Sequence, residues 1–333
     1  VDFDLSDAQR SWREKAQALG RALSEDAAAS DVIAGAARSG LLDPGGDLVA
    51  ATIAVEALAC ESAAAGMALA LHTAAMFARP HQESGGQAED DRFASLARGT
   101  IVCALSLSTE DVPSADGGAL TGRASWVGPI TPGGMAIVGA RQGDEISACV
   151  VSLDAKGVRV EPIGTSGLRG FVSAYVMFEG TAYLAAGAPT RIMAGARTLI
   201  AATALGIGGR ALREALAVAH RDRGAGGEQT VQGLLADTAT ELDAARLLTW
   251  KAAAGMAQSS PASSLADASM AKLAAAGAAQ AAVVRATQVV GVDSFRRGHV
   301  IERLTQDVRA IELFAGRTEA LREAVADEQL PRV

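Results

Sequence analysis

Between residues 100 and 189 the chain drops the helical period that governs it on either side, and this interruption limits its possible folds more than any other feature. Ahead of it, Ser6 precedes "DAQRSWREKAQALGRAL", where Trp12, Ala16, Leu19 and Leu23 recur at helical spacing and Asp7 suits a helix start. "DPGGD" breaks that pattern, and residues 48–79 then read as one long alanine-rich helix ending at Pro80. In the interrupted stretch, short β-branched and aromatic runs ("TIVCALSL", "RASWV", "MAIVGA", "ISACVVSL", "VRVEPI", "SAYVMFEG") alternate with glycine and with the turn signals "RQGDE" and "DAKG". After residue 194 the helical period returns in four long blocks with short links, the pattern of an antiparallel bundle; the last block is "HVIERLTQDVRAIELFAGRTEALREAVA". The reading is an α+β protein with an N-terminal helical domain (1–98), a small middle β-barrel or sandwich (99–190) and a C-terminal four-helix bundle (191–333).

Charge and composition exclude several classes of function. A net charge of −8 and a pI near 5.1, without any Lys/Arg-rich block, argue against nucleic acid as a partner. The three cysteines (Cys60, Cys103, Cys149) and four histidines (His72, His81, His220, His299) show neither CxxC nor HxxxH spacing, which argues against metal and against a disulfide framework. The start, "VDFDLSDAQRSWREK", is charged and amphipathic, unlike a signal peptide. The apolar stretch 67–77 is interrupted by His72 and Thr73 and is too short for a bilayer. The expected location is cytoplasmic, with no membrane span.

Several segments at the joints of this three-part pattern carry a resemblance. "SLSTE" resembles an L-T-E-P segment closing a first strand, and "GRASWV" a G-x-K-x-W-I strand. "GLRGFVSAYVMFEG" resembles G-x-R-G-S-x-T-x-x-L-x-F. "QVVGVDSF" and "QDVRAIELFAGRTEALR" resemble Q-x-x-G-G-x-G-Y and R-D-x-x-x-x-x-I-Y-E-G-T. In this order and spacing they are the segments of the acyl-CoA dehydrogenase superfamily, which the chain resembles over nearly its whole length. The resemblance implies α,β-dehydrogenation of an acyl thioester: a carboxylate removes the α-proton, FAD accepts hydride from the β-carbon, and hydrogen bonds to the thioester carbonyl acidify that proton.

Carried over residue by residue, the resemblance sets Trp126 against the flavin ring, although a tryptophan in a half-buried strand is otherwise simply core. Thr109 and Glu110 match positions facing the flavin, and their plain alternative is an ordinary strand end. Gln229, with Arg221 or Arg223 before it, matches residues that reach the FAD of a neighbouring subunit. Here "RDRGAGGEQ" is shorter than the family segment and lacks its aromatic. Gln288 and Gly291 match the turn at a partner's FAD diphosphate, with Val292 replacing the second glycine. Arg197 and Gly316 fall at the substrate site. Gln306 replaces the arginine of R-D, and Arg317 the threonine of E-G-T.

The catalytic carboxylate is where the resemblance and this chain part. The family's glutamate of I-Y-E-G-T corresponds to Ala315, and its other known location, just before Arg197, corresponds to Ala196. Both are methyl groups; Glu312 is the nearby candidate base. Three functions follow. The first is the base-less subunit of a heteromeric FAD-dependent dehydrogenase, paired with a homologous complete chain. The second is a self-sufficient flavoenzyme that oxidises an acyl-CoA or acyl-carrier-protein thioester in secondary metabolism. The third is a flavin-free scaffold that kept the fold. All three imply a homo- or hetero-oligomer.

Overall fold

The computed structural model describes residues 4–43, 46–79, 87–108, 111–221, 226–256 and 258–330, so Thr109, Glu110 and Arg223 lie outside the described residues. Helices α1 (Asp7–Ala22), α2 (Ala29–Arg38), α3 (Leu48–Glu61), α4 (Ala63–Ala75) and α5 (Gln87–Ala97) come first. Strands β1 (Cys103–Ser106), β2 (Ser114–Asp116), β3 (Ala119–Val127), β4 (Met135–Gln142), β5 (Glu145–Ser152), β6 (Val158–Ile163), β7 (Ser173–Ala182) and β8 (Leu184–Ala185) follow. Helices α6 (Pro189–Arg221), α7 (Gln229–Gly255), α8 (Pro261–Val290), α9 (Val300–Leu313) and α10 (Thr318–Gln329) complete the described chain. The structure has the expected sequence of helices, sheet and helical bundle.

Two of the helices expected from periodicity are each broken in two. The first divides at Ser62, whose backbone is extended (φ −146°, ψ 113°) and whose Oγ accepts from the Ala65 N–H at 3.3 Å. Serine competes with the helix for its own backbone and is favoured at such a cap. The last block divides at Ala315 (φ +56°) and Gly316 (φ +112°), where no right-handed helix can continue. The apolar spacing of the letters runs on through both breaks, so periodicity alone could not locate them.

The eight strands form a single sheet in the order β6-β7-β3-β2-β4-β5-β8, with β1 pairing parallel to β4. Alternation along the central strands gives each face its own core. Cys103, Leu105, Ile137 and Val150 pack toward the helices, while Ala104, Ala136, Val138, Cys149 and Val151 fill a second core within the β domain.

On the helical side, α6 is enclosed by α3, α4 and α8. By length and composition alone α6 and α8 are apolar enough to cross a bilayer, unlike the shorter apolar run at 67–77. In α6 that apolar stretch is 89% buried in protein. Gly206 lets α6 approach α3 closely, because a Cβ there would stand 2.5 Å from the Glu56 carbonyl oxygen. Glu56 and Glu61 of α3 also pair with Arg246 of α7 and Arg213 of α6, each at 2.9 Å, joining the N-terminal helices to the bundle.

Candidate functional site

Four non-glycine residues among those described hold a left-handed backbone: Asp111 (φ +50°), Trp126 (+55°), Leu168 (+53°) and Ala315 (+56°). Each such residue costs about 1–2 kcal/mol, and strain of this kind persists only where surrounding structure enforces it. A run of contacts links all four. Strand β3 pairs with β7 through Ala124, with one register shift between Leu120 and Thr121, then skips to Val127. The residues in this bulge turn the Trp126 indole out of the sheet, leaving it 47% exposed. Beside it, the Asp111 carboxylate accepts from Ser125 Oγ at 2.8 Å and Arg123 Nη2 at 2.7 Å. Those two bonds, the serine's first, hold Asp111 below the usual carboxylate range.

The Phe314 ring meets Trp126 edge-on (centroids 6.4 Å apart, 82°) and Phe171 likewise (5.6 Å, 90°). The Phe171 N–H bonds the Leu168 carbonyl at 2.9 Å, and the Leu168 N–H donates to Asp307 Oδ1 at 2.6 Å. Asp307 is buried. Burial raises its carboxyl to about 6, against the lowering effect of the Leu168 N–H.

Two buried cations fix the loop between α9 and α10. Lys272 of α8 has no exposed surface, and its ammonium donates to the carbonyls of Phe314, Gly316 (2.7 Å) and Glu312 (3.3 Å). Arg197 of α6 is 6% exposed; its Nε donates to the Ala315 carbonyl at 3.0 Å and its Nη1 to Ser269 Oγ at 2.8 Å. Burial lowers Arg197 to about 10. Burial and then the Arg197 charge lower Lys272 to about 7, with Glu312 opposing. Gly316 is required at its position: its φ is +112°, and a Cβ would stand 3.0 Å from Arg197 Nη2.

The candidate residues divide into two groups. Trp126, Arg197, Ala315 and Gly316 belong to this junction, as the contacts above show. Glu312 lies one turn away, its carboxylate accepting from Gln280 Nε2 at 2.6 Å and Thr318 Oγ1 at 3.4 Å. Ala196 is fully buried in α6. The remaining residues sit elsewhere on the bundle: Gln288 and Gly291 at the end of α8, Gln229 at the start of α7, and Arg221 at the end of α6, its Nε bonded to the Ala217 carbonyl at 3.1 Å. Gln229, Gln288 and Arg221 are exposed. At 1.5 Å per residue, Gln288 stands about 24 Å along α8 from Lys272, and Arg221 about 36 Å along α6 from Arg197. One chain does not gather the two groups at a single point.

Sequence reasoning missed Lys272, Ser269 and the role of Asp307. The signal for Lys272 was present, since it is a lone cation in the apolar run "SMAKLAAAGAA", where a lysine must find carbonyls or leave the core. A half-exposed indole, held at one edge by Phe314, is a platform for a flat aromatic ring, so the junction fits an isoalloxazine.

Residues 187–330 match the family model described as acyl-CoA dehydrogenase, C-terminal domain. The chain is 29% identical over 322 residues to a probable acyl-CoA dehydrogenase, YngJ, of Bacillus subtilis, covering 86% of this chain and 83% of that one. Among solved structures it is similar to butyryl-CoA dehydrogenase of Megasphaera elsdenii (TM-score 0.86, 20% identity, 99% and 100% of the two chains). It is likewise similar to an FAD complex of PigA (TM-score 0.84, 18% identity, 99% of each chain).

Proposed function

We propose that the chain, which resembles FAD-binding acyl-CoA dehydrogenases, is a member of that superfamily and the base-less subunit of a hetero-oligomeric, FAD-dependent acyl-thioester α,β-dehydrogenase. One observation carries the reading. The loop at residue 315 keeps a complete holding device, with Arg197 on its carbonyl and Lys272 on the carbonyls either side, yet the side chain so held is a methyl group. Orientation of this kind serves a group that must be aimed. By the resemblance drawn from the sequence, that group is the acceptor of the α-proton, and an alanine accepts none.

FAD, when bound, supplies the hydride acceptor. This chain contributes the Trp126 face for stacking and, from the distant ends of its bundle helices, Gln229, Gln288, Gly291 and Arg221. The distance of Gln288 and Arg221 along their helices from Lys272 and Arg197 supports a cofactor shared between subunits, with the homologous partner supplying the carboxylate. The substrate class is an acyl thioester on CoA or a carrier protein.

The test is the visible spectrum of the chain purified alone, and again after co-expression with a complete homologue. We expect a colourless chain alone and a yellow complex whose turnover is abolished by removing the partner's carboxylate. A yellow chain that oxidises an acyl-CoA by itself would replace this reading with a self-sufficient flavoenzyme. A chain that stays flavin-free in both preparations would leave a scaffold.

A further inference from the structure

Helix α8 carries more apolar surface than its own chain covers. Of the apolar stretch in α8 and the turn that continues it, 39% is buried, against 89% in α6. From Ala268 to Val284 the single charged residue is Lys272, which is buried. The outer face belongs to Met270, Leu273, Gly277, Ala281 and Val284, which recur at helical spacing over about 21 Å, with Val284 58% exposed. Gly277 is the least expected of the five, because glycine is a poor helix former and its neighbours are alanines. In α6, Gly208 is explained by crowding: a Cβ there would stand 2.6 Å from Leu242 Cδ2. At Gly277 nothing among the described residues lies within 4 Å of one. The single chain gives no reason for that glycine, whereas a second helix crossing there would need the close approach it permits.

We infer that this face pairs with the same face of a second copy of this chain, the two α8 helices crossing antiparallel about a two-fold axis at Gly277. The face is symmetric about that residue: Met270 and Val284 lie seven residues to either side, Leu273 and Ala281 four. A two-fold therefore sets Met270 against Val284 and Leu273 against Ala281 on both sides of the closest approach. Charge follows the same symmetry. From Asp267 to Arg285 is 18 residues, or five full turns, so the two share one flank of α8 with Gly277 near the midpoint. Each is paired within its own chain, Asp267 with Lys251 and Arg285 with Glu241, both at 2.7 Å. The antiparallel crossing brings the acid of one α8 to the end where the other carries its guanidinium, a polar rim around an uncharged centre. A different partner would not require one face to be its own complement. The contact needs neither flavin nor thioester, and a hetero-oligomer built on it contains two copies of this chain.

Sedimentation velocity of the chain purified alone, across micromolar concentrations, should show a dimer of 33.7 kDa protomers. Gly277→Gln should weaken it about ten- to a hundredfold, the scale of overpacking a close contact. The variant should melt no lower than the wild type, because within one chain its side chain enters open space. Gly277→Cys should oxidise to a disulfide-linked dimer, whereas Arg159→Cys, exposed on strand β6 of the β domain, should not. A monomer at every concentration, or a dimer that Gly277→Gln leaves intact, overturns the inference; neither touches the flavin reading, which rests on a complete homologue. A monomer whose assembly with that homologue is lost in Gly277→Gln assigns the face to the other subunit and equally overturns it.

Discussion

The β sheet is fastened to the helices at two buried joints, and in both a titratable side chain accepts a hydrogen bond from a backbone N–H. At the first, His72 of α4 accepts the Cys103 N–H at Nδ1 (3.3 Å), and its Nε2 meets the Leu96 carbonyl at 3.0 Å. At the second, Asp307 of α9 accepts the Leu168 N–H at 2.6 Å. The first anchors the start of β1, whose far end leads toward Trp126 through the Ser106–Ser125 bond; the second anchors the turn that brings Phe171 against Phe314. Each joint therefore supports one side of the candidate site. They differ in what burial does to them. Both groups are pushed toward neutrality, but for an imidazole that means a fall to about 4 and for a carboxyl a rise to about 6. The imidazole can serve only while neutral, with its proton on Nε2, whereas the carboxyl keeps an accepting oxygen in either state.

The strongest way to break this comparison is His72→Phe. It leaves the Cys103 N–H without its partner in the core, while the Leu96 carbonyl keeps the Gly99 N–H at 2.8 Å, so urea unfolding at neutral pH should show a loss of roughly 1–3 kcal/mol. A loss under 1 kcal/mol would mean that water or relaxation satisfies the Cys103 N–H and that the joint is incidental.

Acid sharpens the difference. The folded pKa of His72 is depressed, so its contribution is present above 6.5 and lost as pH falls toward 4. The folded pKa of Asp307 is raised, so its contribution is present below 3.8 and lost as pH rises through about 6. Displacements of this size are each worth about 3 kcal/mol, and between pH 4 and 6 they run in opposite directions. Single variants should expose the concealed slopes. From pH 7.5 to 4, Asp307→Asn should lose about 3 kcal/mol more than the wild type, and His72→Gln about 3 kcal/mol less. Parallel pH curves for the three proteins would show that neither joint titrates in the folded state.

Next in size is Phe314→Leu, which removes the edge-to-face contacts with Trp126 and Phe171 and should cost about 1.5 kcal/mol. Its sharper readout is tryptophan emission: with Trp12 and Trp250 replaced by phenylalanine, the remaining indole should shift to longer wavelength as its packed edge is wetted. Emission that does not move would detach Trp126 from the second joint.

The three-part order of the fold was legible because period 2 and period 3.6 leave different marks in the letters, and the strand runs fell between glycine and turn signals. The joints were not. His72 and Asp307 lie in helices whose patterns would read the same with either residue exposed, and their partners are 31 and 139 residues away. Trp126, Arg197, Ala315 and Gly316 were found by resemblance; nothing in their own chemistry marks a left-handed tryptophan or alanine. Lys272 was written plainly in an apolar run, but three carbonyls supplied by a broken helix cannot be foreseen while that helix reads as continuous.

Ala315 gives the smallest and most discriminating effect. Alanine is among the best helix formers, and here it sits between two helices at φ +56°, where an L-residue pays about 1–2 kcal/mol. Ala315→Gly removes that strain but raises the entropy of the unfolded chain by a slightly smaller amount. The expected balance is a gain of about 0.5 kcal/mol in chemical denaturation, provided Arg197 and Lys272 continue to hold the loop. If Arg197 and Lys272 did not impose this backbone, the alanine would relax into the helix, and glycine would then destabilise by about 1 kcal/mol instead. The sign of so small a change thus decides whether the buried cations or the loop's own sequence set the direction of residue 315.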